Sequence, residues 1–383
     1  MAANDPGKLF EHPAVFGSAR SWLHLLAENQ PLDWRHWRHL ARIAVVTAAT
    51  LATTPLKTYA SLRYGRRVAS TKIHPEPIFI IGHWRSGTTH LHNVLYQDPA
   101  LASISTWQAF APQLCLLDER ILKRPFDLVA KRMHPTREID NMPLAMDNPE
   151  ETDLAVAGLC PYSYLHMYSF PRAARRYMRD YVTRFDATPP DVRAEWARQY
   201  LRVLHTATLE AGGRRLVLKN CADSARIPQI LDMFPSAKFI HIVRRPYDVY
   251  RSTSHLYKTV LAGSQVQSFD PAGLDAWVIE FYTELMQRYL ADRDMIPPHR
   301  LVEVRFEDLN ADPVGIIKQI YAGLELPGHN AADPHIRSYL NSISGYQKNT
   351  YRPLDTTTIE TVNRHWSFAF DAFDYPRLEP EAA

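Results

Sequence analysis

The chain has 383 residues, 46% hydrophobic and 22% charged, so it can bury a core and is not a disordered chain. A formal net charge of +3 excludes a general nucleic-acid coat protein. Three widely separated cysteines, Cys115, Cys160 and Cys221, exclude a disulfide framework and a CxxC zinc site, and they fit a reducing compartment.

The opening MAANDPGKLFEHP lacks a basic end followed by an apolar core, which predicts no secretory signal and a cytoplasmic protein. Residues 1–72 read as a helical, amphipathic arm. Arg35, Arg38 and Arg42 recur at helical spacing, and Trp34, Trp37, Ala41, Ala44 and Ala48 run beside them. Arg63, Arg66 and Arg67 add further charge. Two readings stand side by side. One is a peripheral helix on an anionic membrane. The other is an arm that packs its apolar stripe on the main domain and leaves its charges in water. The uncharged run between Arg42 and Lys57 is fourteen residues long, short of the roughly 20 that a spanning helix needs.

Residues 73–383 read as one domain. Its first strand, Ile78-Phe-Ile-Ile81, runs straight into Gly82-His-Trp-Arg-Ser-Gly87-Thr-Thr-His-Leu91. Two glycines with four residues between them have P-loop spacing, and a strand–turn–helix of this kind turns backbone N–H groups and a helix amino terminus towards one anion. Arg85 supplies a cation inside the loop, and Thr88 and Thr89 supply hydroxyls. A magnesium-dependent nucleoside triphosphatase carries Lys after the second Gly; here that position is Thr88, which favours a terminal phosphate without a magnesium bridge. A tight structural turn is the plain alternative.

Residues 105–210 read as a mostly helical cap over the strand ends, where open α/β sheets bind ligands. Its aromatics Trp107, Phe110, Tyr162, Tyr164 and Tyr168 suit an apolar or sugar-like acceptor and a helical core equally well. Within it, Met146-Asp-Asn-Pro-Glu-Glu-Thr-Asp153 places Pro149 at a helix start, with Glu150, Glu151 and Asp153 in the first turn. Acidic residues favour helix starts anyway. Clustered carboxylates also raise one another's pKa towards the range of a general base.

Three more apolar runs read as strands: Leu216-Val-Leu218, ending at Lys219; Phe239-Ile-His-Ile-Val243; and Leu301-Val-Glu-Val304. The third strand continues as Arg244-Arg-Pro-Tyr-Asp-Val-Tyr-Arg-Ser252. There Arg244 as a fork and Ser252 as a donor can hold a second phosphate. After the fourth strand, Asn310-Ala-Asp-Pro313 starts a helix carrying Ile316, Ile317, Ile320, Tyr321 and Leu324. Apolar strands alternating with helices predict an α/β fold, with a parallel sheet flanked by helices on both faces. Gly345-Tyr-Gln-Lys-Asn-Thr350 supplies a late loop with Lys348 and Asn349.

The string IGHWRSGTTHL resembles the 5′-phosphosulfate loop of sulfotransferases that use 3′-phosphoadenosine 5′-phosphosulfate (PAPS). Many of those carry Lys in place of Arg85. Together with MDNPEETDLAV, it is similar to a bacterial group within that superfamily. The resemblance implies a P-loop-like sheet and sulfuryl transfer from PAPS to an acceptor hydroxyl, releasing the bisphosphate PAP, with no metal required. It assigns donor binding to Arg85, Ser86, Gly87, Thr88, Thr89, Arg244, Ser252, Lys348 and Asn349. Arg245 and Arg251 follow less directly. Arg85 and Lys219 become cations for the leaving phosphate. The position of the catalytic His in cytosolic members is Cys221 here, so the base is sought in the PEET string, at Glu151 ahead of Glu150. The implied acceptor is a small molecule, a glycan or a lipid, with no nucleic-acid partner. Competing readings are another P-loop transferase, such as a small-molecule kinase, and a membrane-associated nucleotide-binding adaptor.

Overall fold

The computed structural model describes residues 17–133, 145–345 and 353–379. Three helices open the chain: α1 (Ala19–Glu28), α2 (Trp37–Ala52) and α3 (Thr54–Ser70). Then come β1 (Ile78–Ile81), α4 (Thr88–Leu95), β2 (Leu101–Ala102), α5 (Thr106–Phe110), α6 (Lys123–Met133), α7 (Thr152–Leu159), α8 (Ala174–Met178) and α9 (Pro190–Glu210). The remainder runs β3 (Arg215–Lys219), α10 (Ile227–Met233), β4 (Lys238–Val243), α11 (Pro246–Ser264), α12 (Leu274–Asp292), β5 (Leu301–Arg305), α13 (Phe306–Ala311), α14 (Pro313–Gly323), α15 (His329–Ser342), α16 (Thr356–His365) and α17 (Ser367–Phe373). The four predicted strands are all present. β2 has only two residues, too short to leave a pattern in the sequence.

Two compact units result. One holds residues 75–101, 217–258 and 270–383, and the other 1–74, 102–216 and 259–269. The sheet has strand order β2-β3-β1-β4-β5. β1 pairs in parallel with β3, placing Ile80 opposite Lys219, and with β4, placing Ile81 opposite His241. β4 pairs in parallel with β5. Every residue of β1 and β4 is buried; β1 is a continuous apolar run without alternation, and β4 is apolar apart from Lys238 and His241, whose Nδ1 lies 3.1 Å from Glu303 Oε1. On one face Ile78, Ile80, Ile240 and Ile242 pack with Leu91, Val94 and Leu95 of α4 and with Ile317 and Ile320 of α14. On the other face Phe79 stacks on Phe239 at 5.6 Å and Phe234 stands 6.1 Å away. The sheet is therefore covered on both sides. The α14 start is capped as its sequence predicts, Asp312 accepting from the Gly315 N–H at 2.9 Å. The chain leaves β1 for a strand on either side of it, so the carboxyl ends of β1 and β4 form a switch point of the kind where open α/β sheets bind ligands.

In the other unit, α1 sets Trp22 against His166 and Phe170, with ring centroids 6.5 and 6.3 Å away. Asn29 Nδ2 donates to the Tyr177 hydroxyl at 2.9 Å, and Gln267 Nε2 donates to the Asn29 carbonyl at 2.7 Å. His205 of α9 lies with Nδ1 2.8 Å from the carbonyl oxygen of Thr71, just after α3. α2 buries only Ile43 and Val46. Its predicted apolar stripe, Trp34, Trp37, Ala41, Ala44 and Ala48, is exposed throughout, because α1 and α3 make the anchoring contacts. Trp107, Tyr164 and Tyr168 are buried, and Phe110 and Tyr162 are half-buried.

One local expectation is corrected. Helix α7 starts at Thr152, not at Pro149. Pro149 forms an antiparallel bridge with Ser105, and the Glu150 N–H donates to the Ile104 carbonyl at 2.8 Å. This extended pairing claims the backbone that a helix would need. Glu151 becomes the N-cap residue, and of the three acids only Asp153 stands in the first turn.

Candidate active site

β1 ends at Ile81 and α4 begins at Thr88, so six residues make the whole turn. Gly82 has φ 141°, and a Cβ there would collide with the Ile242 carbonyl oxygen. Its N–H donates to Ser224 Oγ at 2.8 Å. Gly87 caps α4 at φ 94°, and a Cβ there would run into the ring of Phe306. Arg85, at φ 70°, takes a left-handed conformation with a full side chain, which costs on the order of 1–3 kcal/mol. The Ser86 N–H closes the turn on the His83 carbonyl at 3.1 Å. Ser86 and Thr88 are buried, while Arg85, Gly87 and Thr89 are half-buried. The amino terminus of α4 brings its partial positive charge to the same turn.

The second basic segment meets this loop directly. Arg85 Nε donates to Ser252 Oγ at 2.8 Å, and Ser252 is buried in α11. Arg244 Nη1 donates to the Arg85 carbonyl at 3.1 Å, and its guanidinium lies 4.6 Å from the centroid of Phe306. The two predicted phosphate segments are thus joined through Arg85. Of the other two arginines of the segment, Arg251 pairs with Asp248, and Arg245 is exposed with its N–H bonded to Glu307 Oε1 at 3.0 Å.

Lys219 ends β3 and is buried. The Asn220 N–H donates to the Ile80 carbonyl at 3.3 Å, which ties this strand end to the end of β1, where the glycine turn begins. Burial holds His92 of α4 down to about 3, and the charge of Lys219 adds to the effect. His83 is also buried and held down to about 4, with its Nδ1–H donating to the Trp84 carbonyl at 2.7 Å. Both imidazoles are therefore neutral packing groups near pH 7. Cys221 places its sulfur 3.5 Å from Thr88 Oγ1.

Three contributors escaped the sequence reading. Ser224 holds the first glycine, and Phe306 supports both Arg244 and the second glycine. Asp223 anchors the segment after β3 through Asn220 Nδ2 at 2.9 Å and Arg226 Nη1 at 3.2 Å, all three fully buried. The polar run Asn220-Cys-Ala-Asp-Ser224 directly after a strand end was the available signal for two of them. Phe306 left none, since its role arises from a strand far along the chain.

The acidic segment lies in the other unit. Glu150 is buried, and its Oε1 accepts the Glu151 N–H at 3.0 Å. Glu151 is half-buried and accepts a hydrogen bond from the hydroxyl of buried Tyr164 at 3.3 Å. Lys348 and Asn349 lie outside the described residues. Among the described residues, no three His, Cys, Asp or Glu side chains gather as a metal site, and no helix is long and apolar enough to cross a membrane.

Comparison with known proteins gives a consistent result. The model of the sulfotransferase family matches residues 77–330. Over 332 residues the chain is 36% identical to omega-hydroxy-beta-dihydromenaquinone-9 sulfotransferase Stf3 of Mycobacterium bovis, spanning 86% of this chain and 82% of that protein. Among solved structures, sulfotransferase STF1 of Mycobacterium tuberculosis H37Rv superposes with a TM-score of 0.66 at 19% identity, covering 96% of this chain and 93% of that one. Sulfotransferase STF9 of Mycobacterium avium gives 0.66 at 20% identity, covering 90% and 88%. At these identities the two structures speak for the fold.

Proposed function

The chain belongs to the sulfotransferase family, and on that premise we propose that it moves a sulfuryl group from PAPS to the hydroxyl of a lipid acceptor. The observation that carries the donor assignment is the Arg85–Ser252 hydrogen bond with Arg244 on the Arg85 carbonyl. It brings two predicted phosphate sites together at neighbouring strand ends, as a nucleotide with separate 3′ and 5′ phosphates requires. The lipid assignment is supported by the relative Stf3, whose named substrate is a hydroxylated dihydromenaquinone.

In this reading Ser86, Gly87, Thr88 and Thr89 hold the 5′-phosphosulfate with the amino terminus of α4. Arg244 and Ser252 hold the 3′-phosphate, and Lys348 and Asn349 assist them. The acceptor oxygen bonds to sulfur as the bond from sulfur to the bridging phosphate oxygen breaks. The acceptor proton passes to the Glu151 carboxylate. Arg85 and Lys219 take up the charge developing on the leaving phosphate, as fixed cations do in phosphoryl transfer. The products are a sulfate ester and PAP. Glu151 is preferred to Glu150 because Glu150 is buried and turned onto the backbone, whereas Glu151 keeps partial exposure and a hydroxyl partner. Residues 73–383 are the transferase domain, 105–210 its acceptor-side cap, and 1–72 an arm that brings the enzyme to the membrane surface where such an acceptor resides.

The test is transfer of label from PAPS carrying radioactive sulfur to quinol and other lipid alcohols, with calorimetry of PAP binding in EDTA. Lipid-soluble labelled product and metal-independent PAP binding are expected. Magnesium-dependent ATP binding without PAP binding would instead indicate a kinase.

A further inference from the structure

The arm carries an outer surface that its own chain leaves uncovered. On α2 the exposed residues include Trp37, Ala44, Val45, Ala48 and Leu51, so the side of this helix away from its packing partners is apolar. Trp34 is 77% exposed just before it, and Leu62 is 81% exposed on α3, beside the exposed Leu56 and Tyr59. A water-facing helix ordinarily shows the reverse pattern. Apolar side chains exposed together along one helix, with more on the next, mark an interaction surface.

Charge identifies the occupant. Between Asp33 and Glu76 the chain holds eight Lys and Arg and no Asp or Glu. Arg35, Arg38, Arg63, Arg66 and Arg67 of this stretch are all exposed. Lys57 Nζ donates to the Thr50 carbonyl at 2.9 Å across the α2–α3 corner, tying the two helices together. The Arg38 guanidinium lies 5.7 Å from the Trp37 ring, so cation and aromatic share one patch. Exposed tryptophans and leucines interleaved with arginines match an interface of acyl chains under anionic headgroups. A second copy of the chain fits poorly, since a two-fold contact would press two like-charged arms together. A nucleic acid would meet the arginines but leave the Val45 and Leu51 side chains without a partner.

We infer that the α2–α3 face docks on an anionic lipid bilayer, with Trp34, Trp37, Val45 and Leu62 entering the headgroup boundary and the arginines contacting lipid phosphates. This deepens the reading of a membrane-surface enzyme but rests on the arm's own residues, so it can fail while the transferase assignment stands.

The experiment uses the full chain and vesicles of phosphatidylcholine with or without phosphatidylglycerol. Co-sedimentation with the phosphatidylglycerol vesicles is expected, with at least tenfold weaker binding to phosphatidylcholine alone and a marked loss at high salt. Bromine-labelled lipids should quench tryptophan fluorescence. Trp34→Ser with Trp37→Ser should abolish binding. Each of Arg35→Gln, Arg38→Gln and Arg63→Gln should weaken it about fivefold. All these positions are exposed, so circular dichroism and PAP affinity should be unchanged. No binding to phosphatidylglycerol vesicles at low salt overturns the inference. So does binding insensitive to both sets of variants. A dimer in sedimentation that the tryptophan variant dissociates, without vesicle binding, assigns the face to a second copy; binding of single-stranded DNA in place of vesicles assigns it to nucleic acid.

Discussion

Arg85 Nε donates to Ser252 Oγ at 2.8 Å across 167 positions of sequence. The bond joins the turn after β1 to the helix after β4, and it forms because β1 and β4 are adjacent parallel strands whose carboxyl ends lie side by side. Both of its ends lie in segments proposed to hold phosphates, and the Arg244 hydrogen bond to the Arg85 carbonyl makes the link two-sided.

Replacing Arg85 should therefore disturb both proposed phosphate sites. Arg85→Ala should lower kcat/KM about 100- to 1,000-fold, the loss typical of removing one charge-stabilising group. Ser252→Ala should weaken PAP binding about tenfold. Because the two share a hydrogen bond, the double variant should lose less than the product of the single losses. Titration calorimetry with steady-state kinetics reads this. Unchanged kinetics in Arg85→Ala would remove that residue from the mechanism.

The turn itself tolerates little. Gly87→Ala adds a Cβ at φ 94° in the space of the Phe306 ring. The left-handed backbone alone costs about 1–2 kcal/mol, and displacement of Phe306 adds to it. Lower thermal stability and lost PAP affinity are expected together, since Phe306 also supports Arg244. A Gly87→Ala protein with native melting temperature and native PAP affinity would contradict this account of the loop.

The base assignment separates two neighbours. Glu151→Gln should lower kcat about 100- to 10,000-fold while PAP binding stays within twofold of wild type. Glu150→Ala should act mainly on stability, because it removes the side-chain oxygen that accepts the Glu151 N–H at the start of α7. Single-turnover transfer and chemical denaturation distinguish the two. If Glu151→Gln retained full turnover, the base would have to be sought elsewhere.

Acid should loosen the protein before its carboxylates titrate. His83 and His92 are buried and held down to about 4 and about 3, mainly by burial, whereas an unfolded histidine titrates near 6.5. Above that value both states are neutral and neither group affects stability. As the pH falls below about 6.5, the unfolded chain takes up protons that the native state refuses. Each histidine then lowers stability by about 1.4 kcal/mol per pH unit until its native pKa is reached. Urea midpoints between pH 7 and pH 5 should fall accordingly, and His83→Asn should flatten the slope. A wild-type midpoint that is level across this range would refute the argument.

Several features were legible because they are local. A strand buried on both faces reads as a near-continuous apolar run, so Ile78–Ile81 announces itself, and Phe239, Ile240, Ile242 and Val243 do so around His241. The glycines of the turn are forced by backbone angles and close approach, so their spacing survives in sequence. The segment at Pro149 misled for the opposite reason. Proline and acids favour a helix start locally, but pairing with Ile104 and Ser105 took the backbone first. Phe306 left no signal because its contacts are made across the fold, and the polar run that holds Ser224 names no partner for it.

By itself, then, the sequence determined the α/β class, the strand–turn–helix that carries Arg85 between Gly82 and Gly87, and the basic segment from Arg244 to Ser252 that follows a strand, since each follows from periodicity, backbone constraint or charge within a short stretch. Tertiary structure alone decided that Arg85 and Ser252 touch, that Glu150 turns inward while Glu151 meets Tyr164, and that the tryptophans of the arm face outward. Those outcomes depend on which surfaces compete for the same partner. The α2 stripe stayed exposed because α1 and α3 had already taken the arm's packing contacts, a competition that no single stretch of residues records.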